Sequence, residues 1–425
     1  MSTAPPKKKF KVVTLGCRTN QYEAQAYIDQ LRSVGYEEAK EGEEASICIV
    51  NTCTVTASAD SSSRRAIREL AKKHPGSELL VTGCLVESGR EQIEAIEGVT
   101  HIISNQKKES LLSSILPEES WPEFSIKEFD DHARAFVKVQ DGCNSFCTYC
   151  VIPYVRGRSR SRPIEEIEKE IQGLVSQGYK EIVLTGINIG DYDGKRPPGE
   201  VKLSTLVRRI DQMEGLQRLR LSSIDPDEVD EDLQDAILGG KTTCHSLHIV
   251  LQSGSNTVLK RMNRKYTKQI FIETIERLRR ADPDFGFTTD VIVGFPGESE
   301  GDFLETLEVM ESVEFAKVHM FPYSKRPRTR AALYTDQIAV EVIQERKAKV
   351  LVKAEEISYR FHRRFVGRPL TALIEGESSF DSAYVSAHTD NFLSLLIPKG
   401  TLTRHDLVKV QSLENTPAGL VCALI

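Results

Sequence analysis

Apolar runs near the start of the chain recur with the same ending. Val12-Val13-Thr14-Leu15-Gly16-Cys17, Ile47-Cys48-Ile49-Val50-Asn51-Thr52-Cys53 and Leu79-Leu80-Val81-Thr82-Gly83-Cys84 each read as a buried strand leading into a turn that carries a cysteine. A helical period follows each one. The spacings of 36 and 31 residues between these cysteines each match one strand-helix crossover of about 30 residues. Such units build a parallel, Rossmann-like sheet whose strand-following turns lie along one edge. Cys17, Cys53 and Cys84 are therefore expected to converge, while Cys48, inside its strand, packs the interior.

A polar, irregular stretch from Pro117 to His132, with the only tryptophan, Trp121, reads as a linker. Beyond it strands and helices alternate again. Strands are predicted at Ala135–Gln140, Glu181–Thr185, Gln217–Ser222, Leu247–Leu251, Phe287–Val293 and Ala316–Phe321, with helices such as Ile164–Val175, Thr267–Arg280 and Asp302–Val313 between them. Six such units suggest an incomplete version of the eight-fold barrel, a partial (β/α)6 arrangement with its chemistry at the carboxyl ends of the strands. Residues 334–364 read as a long basic helix. From Val366 five short β runs with turns predict a small closed β-barrel, slightly acidic with four Lys or Arg against six Asp or Glu. The expected fold is thus α/β in three domains, 1–120, 130–364 and 365–425.

Candidate chemistry centres on Cys143, Cys147 and Cys150, which follow the first strand of the second domain. Three thiols are one short of a structural zinc site, whereas a [4Fe-4S] cube held by three cysteines keeps one iron open. S-adenosylmethionine could chelate that iron through its amino and carboxylate groups. The alternative is a zinc knuckle whose fourth ligand lies elsewhere. Tyr149 could lay its ring on an adenine, or merely pack on the barrel. Thr185 and Asn188 end the second strand, Ser223 the third, Gln252 the fourth and Gly294 the fifth. Polar groups and open backbone at successive strand ends suit a zwitterion and a ribose, although each could serve a turn.

The composition is ordinary for a globular chain, 40% hydrophobic and 28% charged, and no run of about 18 apolar residues is present to span a bilayer. The Pro- and Lys-rich start lacks a secretory core, so a cytoplasmic protein with reduced thiols is expected, without membrane attachment. A net charge of −6 excludes a uniformly basic coat, leaving any RNA contact to local patches. Two patches stand out: Arg156, Arg158, Arg160 and Arg162 just after the cysteine loop, and Lys325, Arg326, Arg328 and Arg330 after the sixth strand. Either could be a solvated loop. Both lie where a polyanion approaching the strand ends would meet guanidinium groups.

These parts, in this order, resemble the radical S-adenosylmethionine methylthiotransferases, and the resemblance spans nearly the whole chain. Gly16-Cys17-Arg18-Thr19-Asn20-Gln21-Tyr22-Glu23, Arg156-Gly157-Arg158-Ser159-Arg160-Ser161-Arg162-Pro163 and Phe321-Pro322-Tyr323-Ser324-Lys325-Arg326 are most similar to the branch that modifies threonylcarbamoyladenosine in tRNA. Relatives commonly read Gly-Thr-Pro-Ala where this chain has Arg328-Thr329-Arg330-Ala331. The resemblance implies a radical S-adenosylmethionine core, a C-terminal TRAM barrel, two [4Fe-4S] clusters, an external electron donor and tRNA as partner. It further implies a methylthio group added to C2 of the adenosine by a 5′-deoxyadenosyl radical, with Cys17, Cys53 and Cys84 holding the second cluster. Rival readings are the isopentenyladenosine branch, the branch that modifies a ribosomal protein, and an RNA-binding protein whose metal is purely structural.

Overall fold

In the computed structural model, which describes residues 8–130, 132–197 and 200–425, strand Lys9–Thr14 pairs in parallel with Ile47–Thr52, and that strand pairs with Glu78–Gly83. The Pro- and Lys-rich residues 1–7 lie outside the described residues. Two-residue strands at Glu37–Glu38 and His101–Ile102 complete a five-stranded parallel sheet. They escape the hydrophobic pattern because each is too short to show a period. The central strand Ile47–Thr52 is buried along its whole length, which is why its sequence is a continuous apolar run.

Six parallel strands of the second unit form an arc. Arg134–Lys138, Glu181–Thr185 and Arg218–Leu221 make one sheet, while Ser223–Ile224, Ser246–Ile249, Gly286–Val293 and Lys317–Pro322 make the next, with a break at Ser222. The predicted strands and helices fall within a few residues of these elements, and helices Ile164–Ser176, Lys268–Ala281 and Glu300–Val313 cover the outside. First and last strands are not paired with each other, so the arc is open on one side.

The stretch read as a polar linker buries Ile126 and Phe129 in the same core as Tyr22 and Ala26 of helix Arg18–Ser33. It is therefore packing material that welds the N-terminal unit to the arc. Helix Val340–Arg363 then leads to five strands, between Pro369 and Leu424, that close into a barrel through the parallel pairing of Leu395 with Leu420. This barrel sits at the amino ends of the arc strands. Arg218 donates to the carbonyls of His388 and Thr371, and Arg220 to those of Asp390 and Thr389. Both cysteine loops lie at the carboxyl ends, away from it.

Candidate functional site

Gly16 turns with φ +100°, and a Cβ there would stand 2.9 Å from both Cβ and Sγ of Cys53. Only glycine permits the Cys17 turn to close down on Cys53 in this way. Asn20 fixes the meeting: its amide donates to the carbonyls of Leu15 (2.6 Å) and Thr52 (3.0 Å), one from each turn. Burial pushes the Cys53 thiol up to about 11, with the neighbouring Cys84 and Cys17 adding to the effect. The three thiols thus converge, one exposed and two buried. In the other set burial pushes Cys150 up to about 12, and Cys147 and Cys143 add to it. Crowded, buried thiols of this kind become thiolates when a metal takes them. Among the described residues no set closes around one point as the ligands of a single ion do, whereas a cube gives each sulfur its own iron.

Each set also has a guanidinium donating to a sulfur. Arg156 Nε lies 3.3 Å from Cys84 Sγ, and Arg264 Nη1 lies 3.0 Å from Cys147 Sγ. Arg264 is held by an ion pair with Asp225 and by the face of Tyr266. The sequence hid Arg264, 117 residues from its cysteine partner.

Arg156 is not a surface residue, which corrects its assignment to an RNA patch. It is 1% exposed and reaches from the arc into the N-terminal unit, donating to Glu23 (3.1 Å), Asp141 (2.8 Å) and Asn20. Lys108 and Lys138 join the same buried network. Burial opposes ionisation of Glu23, yet Arg156 and Lys108 hold its carboxyl down at about 2. Arg326 plays the matching part in the second patch: it is 4% exposed and grips Asp60 (2.6 Å) and Thr54 (2.8 Å). Arg162 is likewise committed to Glu170, Tyr22 and the Lys138 carbonyl. Arg160 is exposed but pairs with Asp141. What remains on the surface is one contiguous group, because Arg158 lies over Phe146, Phe146 meets Tyr154 edge-on, and Arg328 lies over Tyr154. Lys325 and Arg330 are exposed nearby.

Of the strand-end residues, Thr185 accepts from the Val139 amide (2.8 Å), and Asn188 meets the next residue, Gln140, whose Oε1 accepts from the amides of Ile187 (2.9 Å) and Asn188 (3.0 Å). Gln140 Nε2 donates to the Gly142 carbonyl and to Ser159, so a residue the sequence reading passed over joins the cysteine loop to the next strand end. Ser223 follows the break in the third strand, and next to it Ser222 Oγ is buried without a partner, as is Gln252 Oε1. These orphaned atoms at adjacent strand ends fit a polar ligand. One assignment changes. Gly294 (φ +74°) faces helix Val340–Arg363, where a Cβ would strike Ile343 at 2.4 Å, so it serves packing and not ligand approach. Tyr149 is partly buried and rests edge-on against Phe295, at 6.4 Å, beside Val258 and Met262.

The Radical SAM superfamily matches residues 137–310, and an uncharacterised family, UPF0004, matches residues 9–104. The chain is 46% identical to the threonylcarbamoyladenosine tRNA methylthiotransferase MtaB of Chlamydia pneumoniae over 429 residues, covering 100% of each. It is 34% identical to the tRNA-2-methylthio-N(6)-dimethylallyladenosine synthase of Clostridium novyi, covering 96% of each. The chain belongs to the radical S-adenosylmethionine methylthiotransferases. As a member it uses S-adenosylmethionine and two [4Fe-4S] clusters. Among solved structures, the radical S-adenosylmethionine methyltransferase TsrM of Kitasatospora setae shares the fold, with TM-score 0.55 and 13% identity over 76% of this chain and 77% of that one. No helix of the described residues is long and apolar enough to cross a membrane.

Asn188 also donates to Glu228 (2.8 Å), whose carboxyl is pushed up from 4.5 to about 7 by burial and then by Asp225. A folded pKa above the unfolded one gives stability that is complete below about 4.5 and lost as pH rises through about 7. Without S-adenosylmethionine, Glu228→Gln is expected to flatten that part of the stability profile, read as denaturant midpoint against pH. An unchanged profile would show that Glu228 titrates normally.

Proposed function

We propose that this methylthiotransferase adds a methylthio group to C2 of N6-threonylcarbamoyladenosine in tRNA. The observation that carries the reading is that two three-thiol sets are locked together by Arg156 and Arg326, each a buried strut from the carboxyl edge of the arc into the N-terminal unit. Cys143, Cys147 and Cys150 would hold the radical cluster, and Cys17, Cys53 and Cys84 the sulfur-delivering one. When bound, these groups supply an open iron for S-adenosylmethionine, a source of hydrogen abstraction and a site for the sulfur to be transferred.

The protein residues supply the setting. Arg264 and Arg156 offset thiolate charge with donors to Cys147 and Cys84. Gln140 holds the backbone after Thr185 in one conformation, while Asn188, Ser223 and Gln252 offer polar groups to S-adenosylmethionine. The buried ionic network around Glu23 excludes water between the two sets. Electrons come from an external donor, and the setting is cytoplasmic. The test is to supply reconstituted protein, S-adenosylmethionine and a reductant with tRNA bearing either threonylcarbamoyladenosine or isopentenyladenosine. Methylthiolation of the first alone is expected; modification of the second alone overturns the substrate assignment.

The RNA face is the exposed group Arg158, Arg160, Lys325, Arg328 and Arg330. Each phosphate contact releases counterions, so Arg328→Ala with Arg330→Ala is expected to weaken tRNA binding and to reduce its salt slope by about one unit per lost contact. A salt series on parent and variant checks this. An unchanged slope would move the RNA footprint elsewhere.

A further inference from the structure

Arg18, the residue after Cys17, pairs with no acid among the described residues. Its guanidinium lies over the ring of Phe136, 5.3 Å from its centre, on the first strand of the arc. It also lines a small cavity with Arg220, Ser246, His248, Thr288 and His319, the last from the sixth strand. Arg18 therefore enters through the open side of the arc. Among the described residues it makes no hydrogen bond or ion pair.

The four guanidiniums of this region, those of Arg18, Arg134, Arg218 and Arg220, share it with four carboxylates, those of Glu181, Asp290, Glu375 and Asp390, but among the described residues Arg18 is the one of the four without an ion pair. Glu181 is taken by Arg220 (2.6 Å) and Glu375 by Arg134 (2.7 Å). Asp290 lies 3.3 Å from His248 Nε2, an ion pair whenever that imidazole is protonated, although no hydrogen bond forms between them. His248 Nδ1 is fixed by Thr288 (2.9 Å), which leaves Nε2 on the side of Asp290. His319 makes no hydrogen bond among the described residues and stands 5.8 Å from His248, ring to ring. The guanidiniums of Arg18 and Arg220 and two imidazoles thus line about 30 Å³ of space, room for a carboxylate but not for a base, and of the two cations only Arg18 lacks a partner.

We propose that Arg18, with His248 and His319, binds the carboxylate of the amino-acid substituent on the substrate adenine. This rests on the threonylcarbamoyladenosine reading above. The same groups reject an isopentenyl substituent, since a hydrocarbon would leave the Arg18 guanidinium and the His319 imidazole desolvated and unpaired. Arg18 is a specificity residue here: its backbone adjoins Cys17, while its guanidinium lines a cavity that reaches down to Phe392 of the C-terminal barrel.

The experiment uses anaerobically reconstituted protein and a stem-loop RNA carrying threonylcarbamoyladenosine as the free acid or as its methyl ester, with affinities read by fluorescence anisotropy. A charge-assisted contact is expected to favour the acid by about ten- to a hundred-fold. Arg18→Gln is expected to bring that ratio to about one with ester affinity and iron content unchanged. His319→Leu, further from the thiols, is expected to lower the ratio too, and it decides the matter if Arg18→Gln loses iron. A ratio that survives both substitutions overturns the proposal. So does a parent that binds acid and ester alike; if that parent still methylthiolates threonylcarbamoyl-tRNA, the substrate reading stands and only the subsite is wrong.

Discussion

Replacing Cys143, Cys147 and Cys150 together by Ala is expected to halve the iron of the reconstituted protein, from about eight per chain to about four, and to abolish cleavage of S-adenosylmethionine. The two thiol sets share no ligand. One hangs on the turns of the N-terminal sheet and the other on a single loop after strand Arg134–Lys138, so each can load alone. The reciprocal change, Cys17→Ala, should stop methylthiolation while 5′-deoxyadenosine is still produced. Iron content and product analysis read both. A triple variant with full iron, or with none, would contradict independent sites.

Arg156→Gln is expected to destabilise the fold by about 3–5 kcal/mol, because it leaves buried carboxylates short of a partner. Glu23 and Asp141 are 0% and 3% exposed, and both accept from Arg156. Lys108 and Lys138 remain but cannot replace a planar fork that also reaches Asn20 and Cys84. Thermal unfolding checks the loss, and Arg156→Lys should recover only part of it. An RNA-contact role predicts the opposite outcome: weaker tRNA binding in protein of unchanged stability.

The longer parallel strands were legible because burial on both faces makes them largely apolar, as in Ile47–Thr52 and Glu181–Thr185, whereas the two-residue strands Glu37–Glu38 and His101–Ile102 were not. The position of each cysteine after a strand was legible for the same reason. The fate of individual arginines was not. Arg156 and Arg158 sit two apart in one basic run, yet one is bound to Glu23, 133 residues away in sequence, and the other is exposed over Phe146. Whether a charge in such a run meets phosphate or a distant carboxylate depends on which acid the fold brings to it. Arg326 and Asp60, 266 residues apart, repeat the lesson. Gly294 ended a strand as a ligand-facing glycine should, but the long helix had already filled the space beside it.

The central claim is tested most directly in the nucleosides of tRNA from a strain lacking this chain. Loss of 2-methylthio-N6-threonylcarbamoyladenosine, with its unthiolated precursor accumulating and the isopentenyl series intact, is the result expected. Persistence of the methylthio product, or loss of the isopentenyl one instead, would contradict the account.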